Sequence, residues 1–204
     1  MTDDRSTKWA RAERAALGLA DGGVGVAVRR YYTTVTPVIL LIGVAVAVIV
    51  VLVFDEPLAW TTTASGALQV SGILTLVYGF VYASKKVNPL VTPDRASVNI
   101  LLHKDDSRSI RKQINGAAPV QDDQVVVARG VAIQMLQGLA LQLSIASGQL
   151  MIFAGGIYLG STFRLFWALL ALVSACLLVV MIWHFRKTQR FLKDTEPALV
   201  SGDM

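Results

Sequence analysis

Residues 35–54 read VTPVILLIGVAVAVIVVLVF, twenty consecutive positions without a charge. As a helix rising 1.5 Å per residue this stretch reaches about 30 Å, the thickness of a bilayer's hydrocarbon core. Pro37 falls in its first turn, where a missing N–H is tolerated. Three further apolar stretches follow at residues 61–84, 130–159 and 163–185. The hydrophobic fraction of 54% and mean hydropathy of +0.56 are too apolar for a soluble domain of 204 residues. The first stretch begins some thirty residues in, is too long for a signal-peptide core, and has no small-residue cleavage site behind it, so it is expected to stay as a span.

The basic residues decide orientation. Eighteen of the nineteen Lys and Arg residues lie on one side of the four stretches, and only Arg164 lies on the other. Positive charge flanking membrane spans is retained in the cytoplasm. The expected fold is therefore an all-α integral membrane four-helix bundle, with both termini and the one large loop cytoplasmic. The net charge of +5 is explained by anionic lipid headgroups rather than nucleic acid. Usage rich in Ala and Val, with Arg and Asp, has the character of a bacterial protein, which points to the plasma (inner) membrane.

The chain divides into an N-terminal segment (residues 1–30), spans one and two (31–84), a cytoplasmic loop (85–123), spans three and four (124–187) and a tail (188–204). Residues 2–20 have the interleaving of an amphipathic helix. Trp9 with Arg5, Lys8 and Arg11 suits the inner membrane surface. Asp21-Gly22-Gly23 with Gly25 breaks that helix and is expected to act as a hinge. Arg29-Arg30-Tyr31-Tyr32, Trp60, Tyr158, Trp167 and Trp183 fall where interfacial aromatics are expected. Asp55-Glu56-Pro57 and Gly160-Ser161-Thr162 read as tight outer turns.

Within the loop, Asn88-Pro89 and Thr92-Pro93-Asp94 signal turns, and residues 105–115 read as a short helix started by Asp106 or Ser107 and ended by Gly116. Its Arg108, Arg111 and Lys112 are the candidate contacts for lipid headgroups or a partner. Asp122 or Asp123 is expected to cap a helix of about 38 residues that starts in the cytosol and runs into span three, near 57 Å in length.

The polar residues of span three are the main candidate site. Gln134, Gln137, Gly138, Gln142, Ser144, Gly148, Gln149, Gly155 and Gly156 gather on one side, and Leu136, Leu139, Leu143, Ala146 and Leu150 on the other. Span two carries Ser65, Gln69, Gly72, Leu76, Gly79 and Ala83 as a matching stripe. Small residues at this spacing let two helices approach closely, and an amide in hydrocarbon needs a polar partner. Spans two and three are expected to pack through these faces, with Gln69 near a glutamine of span three. The same glutamines also suit a polar path.

Gly43 with Ala47, and Ala168, Ala171 and Ala175, offer weaker surfaces for a neighbouring subunit. No span has an ionisable residue at its middle of the kind that couples transport, and Arg129 and His184 sit at span ends, where snorkelling accounts for them. Cys176 stands alone within span four, and His103 and His184 lie in no metal motif. The glycines at 22, 23 and 25 lack the Lys and Ser/Thr of a phosphate-binding loop. These patterns point away from an enzyme, a cofactor or a metal. They lead to a non-catalytic accessory, assembly or stabilising subunit of a larger membrane complex, with lipids and other membrane subunits or itself as partners. The alternative is a small homo-oligomeric channel or transporter with the span-three glutamines along its path.

Overall fold

The computed structural model describes residues 2–54, 59–92, 97–158 and 163–195, with backbone alone for residues 2–4 and 92. The outer turns at 55–57 and 160–162, the turn at Pro93-Asp94 and the end of the tail lie outside the described residues. The fold is all-α, and four helical segments are long and apolar enough to cross a membrane: Val24–Val53, Trp60–Leu90, Asp122–Gly156 and Arg164–Asp194. The chain forms two compact units, each described by itself. The loop unit holds Met1–Gly25, Val87–Leu139 and Trp183–Met204; the span unit holds Val26–Lys86 and Ala140–Ile182.

In the loop unit, helix α1 (Thr2–Ala16) is rich in alanine, the best helix former. One side of it packs on protein. Ala12 and Ala16 are buried, and a Cβ placed on Gly130 would lie 2.7 Å from the Ala16 Cβ. Arg5 forks onto the Asp106 carboxylate, with Nε donating to Oδ2 at 3.2 Å and Nη2 to Oδ1. The glycine-rich segment after α1 is pinned rather than hinge-like. Strand β1 (Ala20–Asp21) pairs antiparallel with β2 (Val91–Thr92), and Gly22 N donates to Leu90 O at 2.8 Å. Asp21 Oδ1 then accepts from the N–H groups of Gly23 and Val24, an N-terminal cap for α2 (Val24–Arg30).

The loop beyond β2 folds into α5 (Val98–Leu101) and α6 (Lys104–Ile114). Helix α6 begins earlier than the cap residues suggested, with His103 at its N-cap position, because Asp106 is engaged by Arg5 and Ser107 donates to Asn99 Oδ1 at 2.6 Å. Its end is as expected. Gly116 adopts φ +62°, Gly116 N donates to Gln113 O and Ala117 N to Lys112 O, both at 2.8 Å. These two bonds satisfy carbonyls that a helix end leaves open. A 3-10 turn, Asp122–Gln124, leads into α7 (Val125–Gly156). At 32 residues, α7 is about 48 Å long, shorter than expected but still longer than a bilayer core. Asp122 and Asp123 lie within this turn, whose N-cap position is Gln121.

The loop unit is built like a water-soluble protein. Val24, Val98, Ile110, Ile114, Val127, Val131 and Leu136 are all fully or almost fully buried. Each such side chain stabilises a fold in water by about 1.5–3 kcal/mol relative to exposure.

The span unit has the opposite arrangement. Among its most buried residues are Tyr31, Ser65, Ser71 and Thr75, while Leu41, Ile49, Leu52, Ile73, Val77, Leu165 and Leu169 are exposed. Apolar burial gives no drive between helices in lipid, where tails are as apolar as leucine, so close packing and polar contacts must hold this unit. Helix α3 (Thr36–Val53) meets α4 (Trp60–Tyr82) at Gly43, where an added Cβ would strike Ser71 Oγ and lie 2.8 Å from Ala67 O. Helices α4 and α7 also approach backbone to backbone. A Cβ on Gly148 would lie 2.8 Å from Gly72 O, and one on Gly72 would lie 2.7 Å from Gly148 O. Ser65 Oγ donates to Gly155 O at 2.9 Å along the same seam. The aromatic expected at the interface, Tyr31, is instead a core residue. Its hydroxyl donates to Thr75 O at 3.1 Å, and its ring lies 5.1 Å from that of Tyr82, whose hydroxyl donates to Ala27 O. A five-residue π turn, Tyr31–Val35, joins α2 to α3.

Two predictions follow from these contacts. Gly148→Ala should lower stability in detergent unfolding by about 1–3 kcal/mol, because the methyl meets the Gly72 carbonyl as well as the Leu76 side chain. Gly138→Ala on the same helix, where nothing lies within 4 Å, should instead hold stability constant or raise it by up to about 1 kcal/mol.

Candidate functional site

The structure separates the seven residues assigned to helix packing or a polar path. Gly72 and Gly79 of α4 sit in the seam with α7, Gly79 against Ser144 and Gly72 against Gly148 and Ile152. Gln69 is half-buried, and its Cγ lies 2.9 Å from where a Gly155 Cβ would stand.

Gln134 and Gln137 leave the packing face altogether. Gln134 Oε1 accepts from Val98 N at 2.8 Å, and Gln137 Nε2 donates to Asn88 Oδ1 at 3.0 Å. Both amides anchor the loop unit to its own helix.

Gln142 and Gln149 remain. They are exposed on α7, seven positions and so about two turns apart. The face of α7 expected to be its greasy exterior is turned inward: Leu136, Leu143 and Ala146 are buried. With Ser174, Leu177 and Met181 of α8 (Arg164–Asp194), the two amides line an open cavity of about 240 Å³. Helix α8 itself has only 6% of its most apolar window buried, against 39% for α7. Leu165, Phe166, Leu172, Val179 and Val180 all face outward, and Cys176 is exposed among them. An amide without a partner in an apolar medium costs about 2–7 kcal/mol, far above the roughly 1 kcal/mol of an interhelix hydrogen bond. This face therefore needs polar groups from outside the chain if it lies in hydrocarbon.

Arg108, Arg111 and Lys112 are exposed, while Ile110, Gln113 and Ile114 on the other side of α6 are buried. Arg111 and Lys112 stand in the last turn, where a cation complements the helix dipole. The Arg5–Asp106 pair braces the start of α6. Hydrogen bonding to Asp106, then its charge, raises the Arg5 guanidinium pKa further above its ordinary value.

Arg129 has a role the sequence reading did not assign. Rather than snorkelling, it caps α8: Nη1 donates to Leu192 O at 2.8 Å and to Thr195 Oγ1 at 3.0 Å. Its position at the start of a long helix gives no hint of this, since the partner carbonyl comes from residues 63 positions later. Among the described residues, no three His, Cys, Asp or Glu side chains stand together in a metal-holding group. Arg129→Gln should open the end of α8, read as faster amide exchange over residues 190–195, with a cost of about 1–3 kcal/mol. Protein-family models, curated proteins and solved structures yield no match to this chain.

Proposed function

We propose that this chain is a non-catalytic accessory or assembly subunit of a larger complex in the bacterial plasma membrane, with both termini and the loop unit on the cytoplasmic side. The observation that carries the reading is the pair of exposed amides, Gln142 and Gln149, flanked by the weakly covered helix α8. Lipid tails offer no hydrogen bond to either amide, whereas a transmembrane helix bearing polar side chains does. The aliphatic surface of α8 supplies the packing area beside them. The distribution of Lys and Arg supports the orientation, and the aliphatic core of the loop unit suits an aqueous compartment.

The test is the double substitution Gln142→Leu with Gln149→Leu. Both sites are exposed, so the variant should fold as before in detergent. Purified from native membranes under mild conditions, it should lose stoichiometric co-purification with the larger assembly and shift to a smaller band on a native gel. Retained assembly with lost solute flux in liposomes would favour the homo-oligomeric pore; retained assembly and no flux in either form would remove this face from function.

Orientation has its own check. A C-terminal fluorescent-protein fusion should mature and fluoresce, whereas a C-terminal alkaline phosphatase fusion should be inactive.

A further inference from the structure

Ile100, on α5, is 81% exposed, more than any other large hydrophobic side chain described in the loop unit. A single exposed aliphatic is ordinary on a water-soluble surface, but this one is tethered close to a membrane span. Val98, two positions earlier, donates its N–H to Gln134 Oε1 at 2.8 Å, and Asn88 Oδ1 accepts from Gln137 Nε2 at 3.0 Å. Gln134 and Gln137 lie three positions apart on α7, shortly before Ala140, where the helix passes into the span unit. The two bonds thus hold α5 at the part of the loop unit from which the apolar stretch of α7 continues.

Helix α6 brings cations to the same place. At about 100° per residue, Lys104, Arg108, Arg111 and Lys112 fall within an arc of about 100°, and all four are exposed. The acids of this helix lie beyond the arc: Asp106 is held by Arg5, and Asp105 stands 3.8 Å from His103. On its other margin, Ser107 donates to Asn99 Oδ1 at 2.6 Å. Ser107 neighbours Lys104 and Arg111 on the helix surface, so α5 is joined to the border of the basic arc.

We propose that α5 and the basic arc of α6 form a docking surface for an anionic bilayer. Ile100 enters the boundary between headgroups and acyl chains, and Lys104, Arg108, Arg111 and Lys112 meet the lipid phosphates. An aliphatic tip with a cationic flank fits that boundary, where apolar and anionic partners lie side by side. A nucleic acid would match the cations and leave the aliphatic side chain in water. The surface shares no residue with the α7–α8 face, so it is independent of the proposed subunit interface.

Full-length protein with Ile100→Cys on a Cys176→Ser background is labelled with an environment-sensitive fluorophore. It is reconstituted into nanodiscs of phosphatidylcholine, alone or mixed with phosphatidylglycerol. Acrylamide, an uncharged aqueous quencher, reads the exposure of the probe. Quenching should fall about two- to fivefold in the anionic discs, since each cation at such a surface shifts docking about fivefold. Arg108→Gln with Arg111→Gln and Lys112→Gln should restore the quenching seen in phosphatidylcholine. Should that variant misfold, salt at about 1 M, where the screening length is about 3 Å, should restore it in the labelled parent. Equal quenching in the two lipids overturns the proposal, as does protection that survives salt or a folded triple variant. Protection by an RNA oligonucleotide in phosphatidylcholine discs, with none from phosphatidylglycerol, overturns it as well.

Discussion

Contact between two helix backbones governs the span unit. At Gly72 and Gly148 each glycine faces the other's carbonyl oxygen, so that even one methyl group would meet backbone at under 3 Å. In lipid no hydrophobic gradient draws helices together, and such contacts supply dispersion over the length of the seam. Their consequence reaches the neighbouring faces. Small residues occupy the contact line, larger polar residues are turned out of it, and Gln142 and Gln149 end up on the surface. Exposed amides and close helix packing are thus two results of one geometry.

The loop unit is held by a different set of forces. Aliphatic side chains form its core, and side chains satisfy backbone groups at its joints: Asp21 at the start of α2, Gln134 at the start of α5 and Arg129 at the end of α8. Each bond joins a helix to a terminus or loop that would otherwise leave N–H or C=O groups open. The polar residues of α7 therefore serve two ends. Near its start they organise the loop unit, and farther along the serines are packed within the span unit while Gln142 and Gln149 lie exposed.

The four long helices were legible because length and apolarity alone settle which segments are able to cross a bilayer. The small-residue stripe of span two was legible for a related reason: Ser65, Gly72 and Gly79 recur at the period at which one helix meets another. The glutamines were not resolved in the same way. Helical periodicity places Gln134, Gln142 and Gln149 on one face but does not say what lies opposite, and the structure divides them between a loop amide and the outer surface. Tyr31 likewise has the composition of an interfacial aromatic, yet the carbonyl of Thr75 and the ring of Tyr82 make it a core residue. The partner of Arg129 depends on a contact between distant helix ends, which no local pattern encodes.

The docking of α1 bears on how the protein is made. Arg5 and its partner Asp106 are separated by 101 positions, and the Ala16–Gly130 contact is longer still. At about 5–20 residues per second, the first helix leaves the ribosome roughly 5–20 s before its protein neighbours exist. During that interval its Trp9 and Arg11 can meet a membrane surface. The final docking of α1 thus waits until the third apolar segment has begun to emerge, so a helix made early reaches its place late.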